Sequence, residues 1–228
     1  KVAEFDKGEL IKDHKIAKTT ERNGTKFQFN ADNTIFKNFH FVSEFIDEQL
    51  WNYAYLNAGL TINFNGNKFV SKDGLKDLLT KKTNEAELRY PIIHLKDTDI
   101  EIALTHNSQY GEEYYSFVNG QYTTQGGTHL AAFKEAIVKT VREFYKKQFE
   151  ASDIRQAIVG AVSVRVQEPV FESQTKTKLD SQNMWENGPS LKSFVNDFVK
   201  DKLDSFLHKN QAVAEALLKR IQQSERER

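Results

Sequence analysis

The sequence predicts a fold that mixes strands and helices, of class α+β or α/β, because both hydrophobic periods occur along the chain. Apolar residues recur at helical spacing from Leu130 to Phe144, whereas residues 158–166 are rich in β-branched side chains and predict a buried strand. Of the 228 residues, 39% are hydrophobic and 28% are charged. This is enough apolar material for a packed core, and it excludes a disordered chain.

The N-terminal third predicts short elements separated by turns. Residues 1–30 predict short strands with turns at Asp6-Lys7-Gly8 and Asn23-Gly24, and the alternation over residues 25–29 predicts one of these strands. A helix is predicted over about residues 41–56, followed by a hairpin over residues 60–70. Asp73-Gly74 opens a short helix at residues 75–79. We place a domain boundary here, between residues 1–73 and 74–228.

The remaining chain predicts strands at about residues 92–96, 98–105 and 113–119. The helix that begins near Leu130 and the buried strand at residues 158–166 follow them. Two amphipathic helices are predicted to close the chain, over residues 191–206 and 213–228. Strands and helices therefore alternate over much of this region.

Charge and cysteine content exclude several classes of function. Lys plus Arg equals Asp plus Glu at 32 each, so a basic field over the whole surface is absent. Cysteine is absent, which excludes disulfides and cysteine metal sites and fits a reducing, cytoplasmic setting. No apolar run approaches the ~18 residues of a membrane span. The chain begins at Lys1 and has a single methionine, Met184, so we expect it to be a piece of a longer protein.

The polar segment from Pro169 to Leu179 is the strongest candidate for chemistry. It follows a predicted strand and contains Gln174, Thr175, Lys176 and Lys178, whose side chains can bind phosphate oxygens through charge and hydrogen bonds. A solvated polar loop would have the same composition. Composition alone favours the solvated loop.

Gly126-Gly127-Thr128-His129 precedes the predicted helix. Paired glycines can form an anion site, or a turn with unusual backbone angles, and the turn is favoured. His129 has no acidic or histidine partner at ligand spacing, so a structural role is favoured. The following helix carries five cations that could form a basic stripe for DNA, although a solvated face is more common: Lys134, Lys139, Arg142, Lys146 and Lys147.

The sequence contains neither a Gly-x-x-x-x-Gly-Lys-Ser/Thr loop nor a metal cluster. Taken alone, the chain therefore looks like an incomplete catalytic unit. The segment 169–179 nevertheless resembles the Gln-Thr-Lys loop of the ATPase subunits of bacterial type IIA DNA topoisomerases. Residues 116–119 followed by 126–129 resemble a second hallmark of that family. Gly24-Thr25-x-Phe27-x-Phe29 resembles the strand that closes its nucleotide pocket, and residues 55–59 resemble a helix end before its domain junction.

The resemblance covers nearly the whole chain and implies an α+β architecture. Residues 1–73 would be the end of a GHKL ATPase domain, and residues 74–228 would be a transducer domain with a ribosomal-protein-like fold. Its β-α-β crossover is left-handed in the family, against the usual rule.

The resemblance also implies roles for individual residues. Lys176 is the catalytic candidate. It would contact the terminal phosphate of ATP held by the neighbouring domain, and Gln174 would contact the same phosphate. Thr25 would line the adenine end of the pocket. Lys134 would face a cavity for the transported DNA segment. None of these residues is a metal ligand.

The cofactors implied are ATP and Mg²⁺, with the Mg²⁺ ligand and the water-activating Glu expected upstream of Lys1. The chain alone is therefore expected to be inactive. The implied partners are DNA, an A-type topoisomerase subunit and a second copy of the ATPase subunit, with no membrane. Departures at residues 155–158 and 180–185 favour the ATPase subunit of topoisomerase IV over that of gyrase.

Two other classes of protein remain as alternatives at this stage. One is another GHKL ATPase of the mismatch-repair or chaperone type. The other is a nucleic-acid-binding module related to the ribosomal fold, against which the zero net charge argues.

Overall fold

The computed structural model describes all residues, 1–228, and the chain divides into two compact units, residues 1–46 and 47–228. The first unit contains one antiparallel hairpin, β1 (Ala3–Asp6) and β2 (Glu9–Asp13), with a turn at Lys7 and Gly8. Residues 14–42 form no helix or strand. The predicted strand at residues 25–29 is therefore wrong. A strand needs a pairing partner, and no segment of this unit pairs with these residues.

Helix α1 (Ser43–Leu56) and the hairpin of β3 (Thr61–Phe64) and β4 (Asn67–Val70) confirm the predicted elements of residues 41–70. Helix α2 (Leu75–Lys82) begins directly after Gly74, as predicted. The division between the two packed units lies between residues 46 and 47. The assignment of residues 1–73 to an ATPase domain stays a prediction.

A five-stranded sheet forms the centre of the second unit, in the order β5-β6-β9-β7-β8. Its strands are β5 (Ile93–Lys96), β6 (Ile100–His106), β7 (Glu112–Val118), β8 (Gln121–Tyr122) and β9 (Ile158–Val164). Strands β7 and β9 are parallel neighbours, and the other neighbouring pairs are antiparallel. The structure confirms four predicted strands, whereas β8 was not predicted.

Both faces of this sheet are covered, which explains why β6 and β9 are almost continuously buried. Ile102 and Val162 point into a core formed with Phe133 and Ile137. Ala103 and Ala161, one residue away from them along each strand, pack in a second cluster with Leu75, Leu78, Tyr55 and Phe117. The second unit is thus a three-layer α+β structure.

The first core is completed by helices α3 (Thr128–Tyr145), α4 (Ala151–Arg155), α5 (Leu191–Lys209) and α6 (Gln211–Glu227). Helices α3, α5 and α6 were predicted. The five-residue α4 and a 3-10 helix at Glu85–Glu87 were not, because such short elements carry no readable period. The chain passes from β7 through β8, α3 and α4 to β9, so the crossover between parallel strands is present. Its left-handed sense stays a prediction.

Candidate functional site

The segment between β9 and α5 contains the polar loop identified in the sequence. Lys176 lies at its tip with a φ of 55°, in the left-handed region, and its N–H donates to the Ser173 carbonyl over 3.0 Å. The side chains from Glu172 to Lys176 are exposed. The loop therefore presents Gln174 and Lys176 to solvent.

The two lysines of the loop differ in their ion pairing. The Lys178 ammonium lies 2.7 Å from a carboxylate oxygen of Glu172, and the same two residues are joined by a backbone hydrogen bond of 3.1 Å. This ion pair raises the pKa of Lys178. The Lys176 ammonium forms no salt bridge within the chain. Lys176 is thus the loop cation that is free to bind an external anion.

Lys176 borders a groove of about 900 Å³ within the second unit. Asn119 from the β7–β8 turn and Gln121 from β8 line the groove, together with Arg165 and with Trp185, which is 42% exposed. In the sequence Asn119 stands out only as part of a motif, and no pattern singles out Arg165 or Trp185. These residues are distant in the sequence, and only the sheet brings them together.

The Gly126-Gly127 segment lies directly against the polar loop. The N–H of Leu179 donates to the Gly126 carbonyl over 3.0 Å, and the N–H of Thr128 donates to the Leu179 carbonyl over 3.1 Å. A Cβ on Gly127, whose φ is 128°, would lie 2.2 Å from the Leu179 carbonyl oxygen. The glycines therefore permit a close backbone approach, in agreement with the turn interpretation. Because the Thr128 amide is already used, the structure does not support an anion site here.

His129 has the structural environment expected of it. The side chain is fully buried, and its Nε2 lies 3.2 Å from the Thr123 hydroxyl. That hydroxyl also lies 2.8 Å from the Ser116 carbonyl, to which it can donate. Burial lowers the pKa of His129 to about 4. The imidazole is neutral and inside the fold.

Lys134 on α3 is already engaged by its neighbours. Its ammonium lies 3.3 Å from the Glu112 carboxylate and 4.2 Å from the centre of the Tyr114 ring. Glu112 also accepts a hydrogen bond of 3.0 Å from Arg155. A contact from Lys134 to DNA would compete with these interactions, and this role stays a prediction.

Thr25 lies in the first unit, in a segment without regular structure, and is exposed. The second unit contains Gln174, Lys176 and Lys134. The chain contains no group of three or more His, Asp or Glu residues that could hold a metal ion by itself. None of the helices has the length and apolar character of a membrane span.

The second unit is an α+β domain of three layers with the Lys176 loop held against the start of α3, and solved structures that share this fold include the 43K ATPase domain of a DNA gyrase B. Residues 61–228 match the family model described as DNA gyrase B. The chain belongs to the DNA gyrase B family, and the resemblance found in the sequence is confirmed.

Individual relatives agree with this assignment. The chain is 38% identical to the B subunit of DNA topoisomerase 4 from Borreliella burgdorferi, over 97% of its own length and 36% of that protein. It is 32% identical to the B subunit of DNA gyrase from Helicobacter pylori, over 91% of its length and 29% of that protein. The chain thus spans about a third of the curated relatives it matches.

Solved structures support the fold. The 43K ATPase domain of Thermus thermophilus gyrase B, solved with an aminocoumarin, superposes with a TM-score of 0.66 at 26% identity, covering 85% of this chain and 56% of that one. The topoisomerase IV ATP-binding domain of Francisella tularensis gives a TM-score of 0.67 at 22% identity, covering 86% and 56%, and shows the fold alone.

Proposed function

We propose that this chain is the coupling region of the ATPase subunit of a type IIA DNA topoisomerase, in which Lys176 senses the terminal phosphate of ATP. The enzyme is proposed to be topoisomerase IV, with gyrase as the alternative. The proposal includes DNA, an A-type subunit and a second copy of the ATPase subunit as partners, and a cytoplasmic location. The observation that carries it is Lys176, the unpaired cation at the tip of an exposed loop.

The chemistry of the loop supports this role. Bound ATP would supply a terminal phosphate on which negative charge accumulates during transfer. The Lys176 ammonium offsets such charge, and the Gln174 amide donates a hydrogen bond beside it. Both side chains are exposed, so they can reach a nucleotide held outside the second unit. In this proposal, Mg²⁺ is held together with the nucleotide by residues of the full-length subunit outside this chain.

A lysine on one domain and a nucleotide on another form a switch. A contact between Lys176 and the terminal phosphate gives the nucleotide a higher affinity for the arrangement in which the two domains are close. Loss of that phosphate removes the preference, and the domains are released. The free energy of one ionic contact would thus be converted into a movement that accompanies DNA strand passage.

The proposal is tested by Lys176→Ala in the full-length subunit with its A-type partner and DNA. Loss of a positioned charge at the transferring phosphate is expected to lower kcat by about 10²–10³-fold. ATP binding is expected to be largely retained, because most contacts of the nucleotide lie elsewhere.

Lys178→Ala is the matched control, since it removes the same charge from the same loop but from an ammonium paired with Glu172. It is expected to change kcat by less than about threefold. Hydrolysis that is unchanged by Lys176→Ala would refute the proposed function.

A further inference from the structure

The segment that leads from β9 into the loop with Lys176 is held by the side chain of Asn119, which pairs with the backbone of Val166. Strands β7 and β9 pair in parallel up to Val118 and Val164, where both end. Asn119 then continues the pairing. Its side-chain amide donates to the Val166 carbonyl over 2.7 Å, and its side-chain oxygen accepts from the Val166 N–H over 2.8 Å.

The position of Val166 is therefore fixed by an amide that satisfies both of its backbone groups. Val166 is 3% exposed and belongs to the main core. The next residue, Gln167, donates its N–H to the Met184 carbonyl over 2.8 Å. The polar loop leaves the fold from this fixed point.

The end of the loop is held mainly by backbone hydrogen bonds. Leu179 exchanges hydrogen bonds with Gly126 and Thr128, and the N–H of Gln125 donates to the Thr177 carbonyl over 2.9 Å. Thr128 adds a side-chain hydrogen bond of 2.8 Å to the Ser181 carbonyl. Leu179 is 1% exposed, so this end is also anchored in the core.

These contacts on both sides of the loop come from one short segment, residues 119–128, between β7 and α3, while Val170 at the base of the loop also pairs with Asp180 and Ser181. We infer that this segment holds the phosphate-sensing loop in place and that Asn119 is a positioning residue for Lys176. The inference rests on the proposed function of Lys176. The tip lies three residues before Leu179 and ten residues after Val166, and the paired backbone of Val170 lies between Val166 and the tip. A shift of Val166 would therefore reach the ammonium through the base of the loop, and a shift of Leu179 would reach it directly. Asn119 and Lys176 also border the same groove.

This inference assigns a function to the motif formed by residues 116–119 and 126–129. Asn119 and Gly127 are not proposed to bind a ligand. They set where the Lys176 ammonium stands relative to a phosphate on another domain, and a misplacement of about 1 Å in such a contact costs up to about 10²-fold in rate.

Asn119→Gly in the full-length subunit tests the inference. Asn119 has a φ of 50°, which glycine adopts without strain, so this change removes the amide and preserves the turn. We expect kcat for ATP to fall roughly tenfold while KM changes little. Gln121→Ala is the control. Gln121 is the first residue of β8, two residues after Asn119, and its amide makes only a 3.5 Å contact with the carbonyl of Tyr122, so kcat should be retained.

A double-mutant cycle with Lys176→Ala separates positioning from a general loss of structure. If Asn119 acts through Lys176, Asn119→Gly has no further effect once Lys176 is alanine. If Asn119→Gly lowers kcat by the same factor in both backgrounds, or leaves kcat unchanged, the inference is overturned. A Lys176→Ala enzyme with normal kcat would instead overturn the proposed function itself.

Asn119→Asp is measured beside Asn119→Gly, in case the latter lowers Tm below the assay temperature. The aspartate keeps the acceptor for the Val166 N–H but places a negative oxygen against the Val166 carbonyl. Its kcat should also fall, again without effect in the Lys176→Ala background. A decrease that persists in that background would count against the inference.

Discussion

Two buried histidines predict how the stability of the second unit depends on pH. His106 donates from Nε2 to the Ile154 carbonyl over 2.8 Å, and its Nδ1 lies 2.5 Å from the Tyr90 hydroxyl. In the neutral ring, Nδ1 accepts a hydrogen bond from that hydroxyl. Burial, reinforced by the nearby Arg220 cation, lowers the pKa of His106 to about 4. Burial also lowers the pKa of His129 to about 4.

The sign of the effect follows from proton linkage. In the unfolded chain both rings take up protons below the ordinary pKa of 6.5, whereas in the folded chain they stay neutral until about 4. The unfolded state therefore binds more protons in this window, and acid stabilises it. Each histidine should cost about 2 kcal/mol of unfolding free energy between about pH 7 and about pH 5. Carboxyl groups titrate mainly at lower pH.

Urea unfolding followed by tryptophan fluorescence measures this loss, because both tryptophans, Trp51 and Trp185, lie in the second unit. The unfolding free energy should fall by about 4 kcal/mol between these pH values. His129→Gln, which replaces the ring by a group that does not titrate, should remove about half of that dependence. His40→Gln, at an exposed histidine, should remove none. Stability that is constant from about pH 7 to about pH 5 would refute the reasoning.

Two further predictions concern the start of α2 and the chain in isolation. Gly74 has a φ of 59°, and a Cβ there would lie 2.3 Å from a carboxylate oxygen of Glu101, so Gly74→Ala should cost about 2–3 kcal/mol of unfolding free energy. Gly66→Ala, with a φ of 81° and open space around the new Cβ, should cost about 1 kcal/mol in the same urea titration, and equal losses would contradict the steric argument. The purified 228-residue chain should release no phosphate from ATP, because the proposal assigns the Mg²⁺ ligand and the water-activating Glu to residues outside it. Turnover by the purified chain that depends on Lys176 would contradict this expectation.

The elements of the second unit were predictable where the pattern was long. The helical spacing of α3 extends over several turns, and the β-branched run of β9 extends over the whole strand, so local sequence determines both elements. The strand predicted at residues 25–29 failed for the opposite reason. The alternation of apolar and polar residues is a property of the segment alone, whereas a strand also needs a second strand to pair with. Residues 25–29 have no such partner in the structure.

The candidate site was predictable only in outline. Composition identified a polar loop, and the resemblance identified Lys176 within it. Sequence could not distinguish Lys176 from Lys178 on physical grounds, because the difference is an ion pair with Glu172 that forms when the loop closes. The role of Asn119 was equally hidden. Its partner Val166 lies 47 residues away, and only the parallel pairing of β7 and β9 brings the two together.

The most direct test of the phosphate-sensing role is a structure of the full-length ATPase subunit in complex with a non-hydrolysable ATP analogue. We expect the Lys176 Nζ atom to lie within about 3 Å of an oxygen of the terminal phosphate. We also expect Asn119 to remain paired with Val166 in that state. A Lys176 side chain directed into solvent, away from the nucleotide, would contradict the central claim and leave only the fold assignment.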